Sequence, residues 1–431
     1  MSHIAATQQP AAAYDVIVIG GGASGLAASL SAASNGASVC VIERDVEAGL
    51  PILATGNGRC NISNARLSSY HYRHPEAFDA VAGPCPEDTL ARFFSHLGLL
   101  IEAEDEGRLY PITRRADSVR DALLNATRRA GVAIRCGSQL TEVRYLKDSS
   151  RWEISLLEPL HKLHAKTGRD HKTQLRSLRR ALSEAALCKR TVRARSVIIA
   201  TGGDSKAIAS QFDLPCTQIA PVLCPIACSS AYPDLKLSSL DGLRVHGSLS
   251  LLRNGASISF QSGEVLFRSY GISGIAAFNL SRLVQPDDRI ELDLFPTLNE
   301  AGVLDMLHER ERVLGAYTGE AQWLDGLLAR SLSQQLCEHI GTSDDPLARI
   351  AGILHAFPLQ VQGTAETKQA QVARGGIPLS ACDLSTLNVT AALHPRLFAC
   401  GEALDMDADC GGFNLAWAWL SGLRAGAAST L

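Results

Sequence analysis

The chain opens with a short apolar run, a glycine turn, a helical stretch and a second apolar run, an order that few folds accept. Asp15-Val-Ile-Val-Ile19 is β-branched and uncharged after its first residue, as a strand buried on both faces requires. It leads directly into Gly20-Gly-Gly-Ala-Ser-Gly25, which fits G-x-G-x-x-G. Leu26 to Ser34 is rich in alanine and leucine and is expected to be helical, with Asn35-Gly36 as its stop. Ala37 to Ile42 reads as a second strand, ended by Glu43.

Each part has a physical task in an α/β, Rossmann-type domain. Gly20 permits the tight turn, Gly22 leaves room for a pyrophosphate against the backbone, and Gly25 lets helix and strand pack closely. The helix start at Ala23 and Ser24 offers unpaired N–H groups to the phosphates. Glu43, with Arg44 beside it, lies where a carboxylate accepts hydrogen bonds from a ribose diol. That carboxylate would repel a 2′-phosphate, which argues against NADP at this position.

Composition narrows the rest. A chain of 431 residues is expected to hold two or three domains. A net charge of -3 gives no global reason to expect nucleic acid or an anionic membrane as partner. The apolar stretch Val16 to Ala33 is broken by four glycines and has no basic flank, so neither a signal peptide nor a membrane span is expected. A soluble, cytoplasmic protein is expected, with Met1 to Ala13 as an unstructured lead-in. The twelve cysteines include no C-x-x-C and read as reduced thiols. His71/His74 and His161/His164 have no second ligand pair, so no metal is expected.

Three later features favour FAD over NAD. Arg195 to Ala200 runs into Thr201-Gly-Gly203 and resembles the strand and turn near the adenylate half in flavoproteins of the glutathione-reductase superfamily. Arg396-Leu-Phe-Ala-Cys-Gly401-Glu402 resembles that superfamily's return strand, whose carboxylate meets a ribityl chain. Cys410-Gly-Gly412-Phe413-Asn414 precedes a helix from Leu415 to Gly426, and such a helix start suits a flavin pyrimidine and charge on the reduced ring. The sequence has no second G-x-G-x-x-G for a built-in NAD(P)H domain, and no C-x-x-x-x-C follows Glu43.

Together the motifs resemble the aminoacetone-oxidase-family, bile-acid-reductase-like (BaiN-like) FAD enzymes. The resemblance rests on Ala54-Thr-Gly-Asn-Gly-Arg-Cys-Asn61, Gly263 to Gly274, Ala373-Arg-Gly-Gly-Ile-Pro378, and Gly401 to Trp419. It implies that Gly56, Asn57, Arg59, Cys60 and Asn61 line the flavin, with Leu140 beside the adenine. It places Thr201, Gly202, Gly401, Glu402, Gly412, Phe413, Asn414 and Leu415 in the same non-covalent FAD site, with NAD(P)H a candidate co-substrate. Cys60 and Cys410 read as packed thiols near the ring. The chain departs from the family after Gly203, where a longer glycine-rich stretch is missing, and from His161 to Arg195, where residues look added.

The expected layout is a discontinuous FAD-binding domain (residues 1–215 and 350–431) enclosing a β-barrel (216–297) and a small helical subdomain (298–349). Asn254-Gly255 signals a hairpin, Arg289 to Leu294 a strand, and Trp323 to Ile340 a helical apolar face. The expected chemistry is hydride transfer between flavin and a small amine, ketone or enone bound where the insert meets the flavin, with O2 or NAD(P)H as redox partner. Substrate-side candidates are Arg268, Ser269 and Tyr270, and Asp405, Asp407 and Asp409, although the aspartates read as solvated loop residues. The catalytic acid or base is unassigned, and the oligomeric state is not fixed. The added segment holds eleven Lys and Arg from Lys162 to Arg195, which keeps an FAD-dependent RNA-modifying or RNA-binding protein as one alternative. A flavin sensor without turnover is the other. No aromatic residue interleaves the basic segment to stack on bases, so a nucleic-acid partner is not favoured.

Overall fold

The computed structural model describes residues 11–164, 170–203, 205–341, 343–365, 367 and 370–431. The chain forms two compact units, one running to Ala220 and resuming at Val372–Leu431, the other Pro221–Gln371.

The first unit is a Rossmann-type α/β layer. Ala12–Ile19 lies between Val39–Glu43 and Leu187–Ile199, parallel to both. Ala133–Cys136 extends the sheet on one side and Leu397–Ala399 on the other. Val16, Ile17, Val18, Val197, Ile198 and Ile199 are fully buried, as a sheet covered on both faces demands. The first strand starts at Ala12, earlier than expected, because Ala12 and Ala13 pair with Val192 and Arg193. The rest of the expected lead-in, residues 1–10, lies outside the described residues.

The added segment is shorter than its sequence suggests. Leu187 onward belongs to the central strand, whose first half pairs with Arg151–Pro159, itself hairpinned to Gln139–Leu146. What stands outside the sheet includes one helix, His171–Glu184, started by Asp170, whose carboxylate accepts the Thr173 N–H. Its Leu175, Leu178 and Leu182 are half-buried, with Leu182 beside Gly137. Several of the basic residues are neutralised within the chain: Arg179 by Asp45, Arg180 by Glu184, Lys189 by Glu142, Arg193 by Glu153 and Arg195 by Asp15. Lys166 and Arg169 lie outside the described residues.

The two ends of the chain meet in this unit. The first helix, Ala23–Ser34, packs on the last, Phe413–Ala428, which begins two residues before the expected Leu415. Gly422 and Gly426 make the approach possible: an added Cβ would lie 2.4 Å from the Ser24 carbonyl oxygen and 2.3 Å from that of Ala28.

The second unit is a closed barrel of six strands: Ile226–Ser230, Gly271–Ser273, Ala256–Arg268, Arg244–Arg253, Arg289–Asp293 and Phe357–Thr364. Asn254 and Gly255 turn the hairpin with φ of 50° and 80°, the two left-handed positions this loop length needs. Leu249, Leu251, Val265, Phe267, Ile290 and Leu292 fill the interior. Phe357–Thr364 closes the barrel, so the chain returns to the first unit at Val372 instead of near residue 350. Glu300–Leu314, Arg330–Ile340 and Pro346–His355 are the helical part. The apolar stripe from Trp323 to Ile340 is buried as expected, but Gly326 (φ 81°) divides it into a short 3-10 turn and a helix. Among the described residues no helix is long and apolar enough to cross a membrane.

Candidate functional site

The glycine turn is built by close approach. At Gly20 (φ 108°) a Cβ would lie 2.3 Å from the Ala200 carbonyl oxygen, and at Gly25 it would lie 1.9 Å from that of Gly20. These two glycines let strand and helix touch. Gly22 differs, because a Cβ there would meet nothing within 4 Å. Open space lies over it, beside the first amides of Ala23–Ser34, whose start has no acidic residue and no side-chain cap. Glu43 closes the turn: its Oε2 accepts the Gly21 N–H at 2.8 Å and its Oε1 accepts the Asp45 N–H at 2.8 Å. Arg44 is exposed beside it, and Leu140 is buried on the neighbouring hairpin, where the Ser138 N–H donates to the Glu43 carbonyl.

The return strand comes to the same place. A Cβ on Gly401 would lie 2.4 Å from the Ser24 hydroxyl, so the second glycine–acid pair abuts the opening turn. The Trp417 indole donates to the Gly401 carbonyl and the Ser421 hydroxyl accepts the Gly401 N–H, fixing it to the last helix. The Glu402 carboxylate lies over the Gly202–Gly203 turn, 3.4 Å from where a Gly203 Cβ would stand, and accepts the Ala373 N–H. Burial raises the Glu402 carboxyl above the usual range, with the Ala373 hydrogen bond opposing. The Thr201 hydroxyl oxygen is buried with no hydrogen-bond partner among the described residues.

The Thr55–Asn61 loop is wound by left-handed residues, Gly56 (φ 55°), Asn57 (φ 54°) and Cys60 (φ 57°). Arg59 sets its guanidinium 4.3 Å from the centre of the Tyr110 ring and pairs with Glu104 at 3.0 Å. Cys60 is fully buried and burial pushes its thiol up to about 11. The loop continues against the start of the last helix, where at Gly412 (φ 100°) a Cβ would lie 2.3 Å from the Ser63 carbonyl oxygen and 2.8 Å from Asn61 Oδ1. That Asn61 oxygen is also buried without a partner among the described residues. Phe413 is buried; the Asn414 side chain is spent on the backbone of Ala408 and Asp409, and Leu415 is half-buried.

A charged cluster beside this helix start was missed in the sequence. Asp405, Asp407 and Asp409 are not solvated: Asp405 is 6% and Asp407 0% exposed. Arg374 binds Asp407 through two parallel hydrogen bonds of 2.8 and 2.9 Å, and Arg73 binds Asp405, which also accepts from the Gly375 N–H and the Thr217 hydroxyl. His71 Nδ1 lies 3.0 Å from the Asp409 carboxylate. Each pair joins residues far apart in sequence, so only alternation of Asp from 405 to 409 hinted at it. The other substrate-side candidates lie in the second unit, where Arg268 pairs with Asp241 at 3.2 Å and stands 5.5 Å from the Tyr270 ring. Ser269 lies between them in the chain.

A dinucleotide cradle on a Rossmann sheet, with a return carboxylate and a glycine-led helix, defines the class: an FAD-dependent oxidoreductase. The chain belongs to the family described as HI0933-like protein Rossmann domain, whose model matches residues 14–167 and 155–428. Among curated proteins it is 28% identical to a 3-dehydro-bile acid delta(4,6)-reductase of Clostridium scindens, over 96% of this chain and 98% of that one. It is 24% identical to the ribosomal RNA dihydrouridine synthase of Haemophilus influenzae, over 94% and 96% of the two chains. It is 25% identical to that of Escherichia coli, over 95% and 96%.

Proposed function

We propose that this protein reduces a carbon–carbon double bond conjugated to a carbonyl in a small organic molecule, using FAD that NAD(P)H refills. The observation that carries the reading is a bond change common to the three relatives matched along the whole chain. A delta(4,6)-reductase of a 3-dehydro bile acid acts on double bonds in line with a ketone. Dihydrouridine is uridine with two hydrogens added across the ring double bond beside its carbonyl. The named substrates differ and the chemistry does not.

The residues present fit the cofactor. The space over Gly22 takes the pyrophosphate, held by the first amides of the helix from Ala23, Ser24 and Gly25. Glu43 serves the adenosine ribose and the backbone at Leu140 the adenine. Glu402 and Gly401 serve the ribityl chain, with Thr201 and Gly202 on the adjoining turn toward the adenylate half. Asn61, Gly412 and the amides that start the last helix at Phe413, Asn414 and Leu415 serve the pyrimidine, with Gly56, Asn57, Arg59 and Cys60 lining the ring. Bound flavin supplies a hydride at N5. With Cys60 held protonated, the site offers little for thiol–disulfide exchange.

The test is anaerobic. The purified protein is reduced with NADH or NADPH and mixed with cyclohex-2-en-1-one or 4-androstene-3,17-dione. Reoxidation with formation of the saturated ketone supports the reading. Flavin bleached only by amines, with peroxide on re-aeration, overturns it in favour of an amine oxidase.

The two dihydrouridine synthases favour one second reading, uridine in ribosomal RNA as substrate. On the added helix, the pairing of Arg179 with Asp45 and of Arg180 with Glu184 weighs against an RNA arm. Dihydrouridine appearing in protein-free ribosomal RNA treated with the reduced enzyme would move the substrate to RNA.

A further inference from the structure

Saturating a conjugated double bond takes a proton as well as a hydride. We propose that His71, positioned by Asp409, is the proton donor. This rests on the reductase reading above.

His71 ends a short helical turn, Ser69–His71, and the residues after it are zipped to the loop that follows Glu402. The Arg73 N–H donates to the Asp407 carbonyl, the Asp409 N–H donates to the His71 carbonyl, and Tyr72 bridges Ala408 between them. The Tyr72 hydroxyl donates to the Phe413 carbonyl at 2.9 Å, tying the segment to the start of the last helix. The His71 ring stacks on Phe413, with centroids 3.9 Å apart and planes 17° off parallel. The imidazole is therefore fixed against the helix start assigned to the flavin pyrimidine.

The chemistry follows from the pair. Asp409 lies 3.0 Å from Nδ1, so it holds that N–H and orients the ring. The two side chains are 28% and 15% exposed, sheltered but within reach of a ligand. Several neighbouring side chains have partners of their own. Asp405 and Asp407 face Arg73 and Arg374. The Tyr72 hydroxyl is spent on Phe413, and burial raises its pKa further. Burial and Arg73 lower the pKa of His74, which leaves it neutral. Tyr70 meets the His71 ring edge-on and is 85% exposed.

In the step proposed, hydride from reduced flavin forms a C–H bond at the β-carbon of the enone. The double-bond pair shifts to give the enolate, and its α-carbon takes the proton from His71 Nε2. The imidazole is left neutral and regains a proton from solvent, while the flavin is left oxidised for NAD(P)H.

The experiment separates the half-reactions by stopped flow in wild type, H71Q and D409N. The expected result for H71Q is a fall of about 100-fold or more in reoxidation by cyclohex-2-en-1-one. Reduction by NAD(P)H, FAD content and reoxidation by ferricyanide, which protonates no carbon, are expected to hold. D409N is expected to fall about tenfold in the same step, and the downfield NMR signal of the His71 Nδ1 proton held by Asp409 to be lost in the oxidised holoenzyme. An H71Q variant that reduces the enone at the wild-type rate overturns the proposal. A D409N variant that keeps that proton signal and the wild-type rate of reoxidation by the enone overturns the part given to Asp409. Wild-type enzyme that ignores both enones overturns the reductase reading itself, a result distinct from either.

Discussion

Glu43 Oε2 accepts the main-chain N–H of Gly21 at 2.8 Å, so the carboxylate that ends the second strand is locked onto the glycine turn. Its other oxygen takes the Asp45 N–H. Both oxygens keep accepting capacity for a ribose diol. E43Q replaces a charge-assisted acceptor of two amides, worth about 1.5–3 kcal/mol. FAD is expected to bind about 10- to 100-fold more weakly, while riboflavin, which lacks the adenosine, binds unchanged. Fluorescence titration of both flavins checks it.

Gly22 and Gly25 should fail in different ways. Over Gly22 there is open space, whereas a Cβ at Gly25 would drive into the Gly20 carbonyl. G22V is expected to fold and lose its yellow colour; G25V is expected to lose about 4 kcal/mol or more of stability. The ratio of 450 nm to 280 nm absorbance and a thermal melt distinguish them, and a fully loaded G22V would refute the phosphate placement.

Burial makes the folded chain hold the Glu402 proton more tightly than the unfolded chain does. The stability this gives cofactor-free protein is full below the ordinary carboxylate pKa and is lost as pH rises through the raised one. E402Q is expected to remove that slope, so its cofactor-free form is the more stable at pH 8 and matches wild type near pH 4. Urea unfolding at the two pH values reads the difference, and parallel slopes would count against it.

Asp407 is fully buried and bound to Arg374 in bidentate fashion. D407A removes the bidentate acceptor of Arg374 and is expected to cost about 3–5 kcal/mol, whereas D407L with R374M should recover much of the loss. Urea unfolding of the single and double variants measures both.

Much of the cofactor cradle could be read from local pattern. The strand, Gly20–Gly25, the helix and Glu43 are contiguous, and the hairpin at Asn254-Gly255 is set by the turn residues themselves. What escaped was non-local. The small sheet of Ser63–Asn64, Ile101–Ala103 and Arg108–Pro111 has strands too short to show a period. The strand Leu187–Ile199 alternates charged and apolar residues at its start, so that basic half looked like part of the added segment. The aspartates after Glu402 looked solvated because their partners Arg73, His71 and Arg374 are distant; His71 and Asp409 lie 338 positions apart.

Leu397–Ala399 pairs with the far half of Leu187–Ile199, and the last helix lies on the first. A ribosome must therefore pass residue 400 before that sheet edge is covered and Gly401 can reach Ser24. Until then the nascent chain carries an unsealed apolar edge, a natural place for a chaperone to act, and truncation near the C-terminus should yield insoluble protein, not a smaller active one.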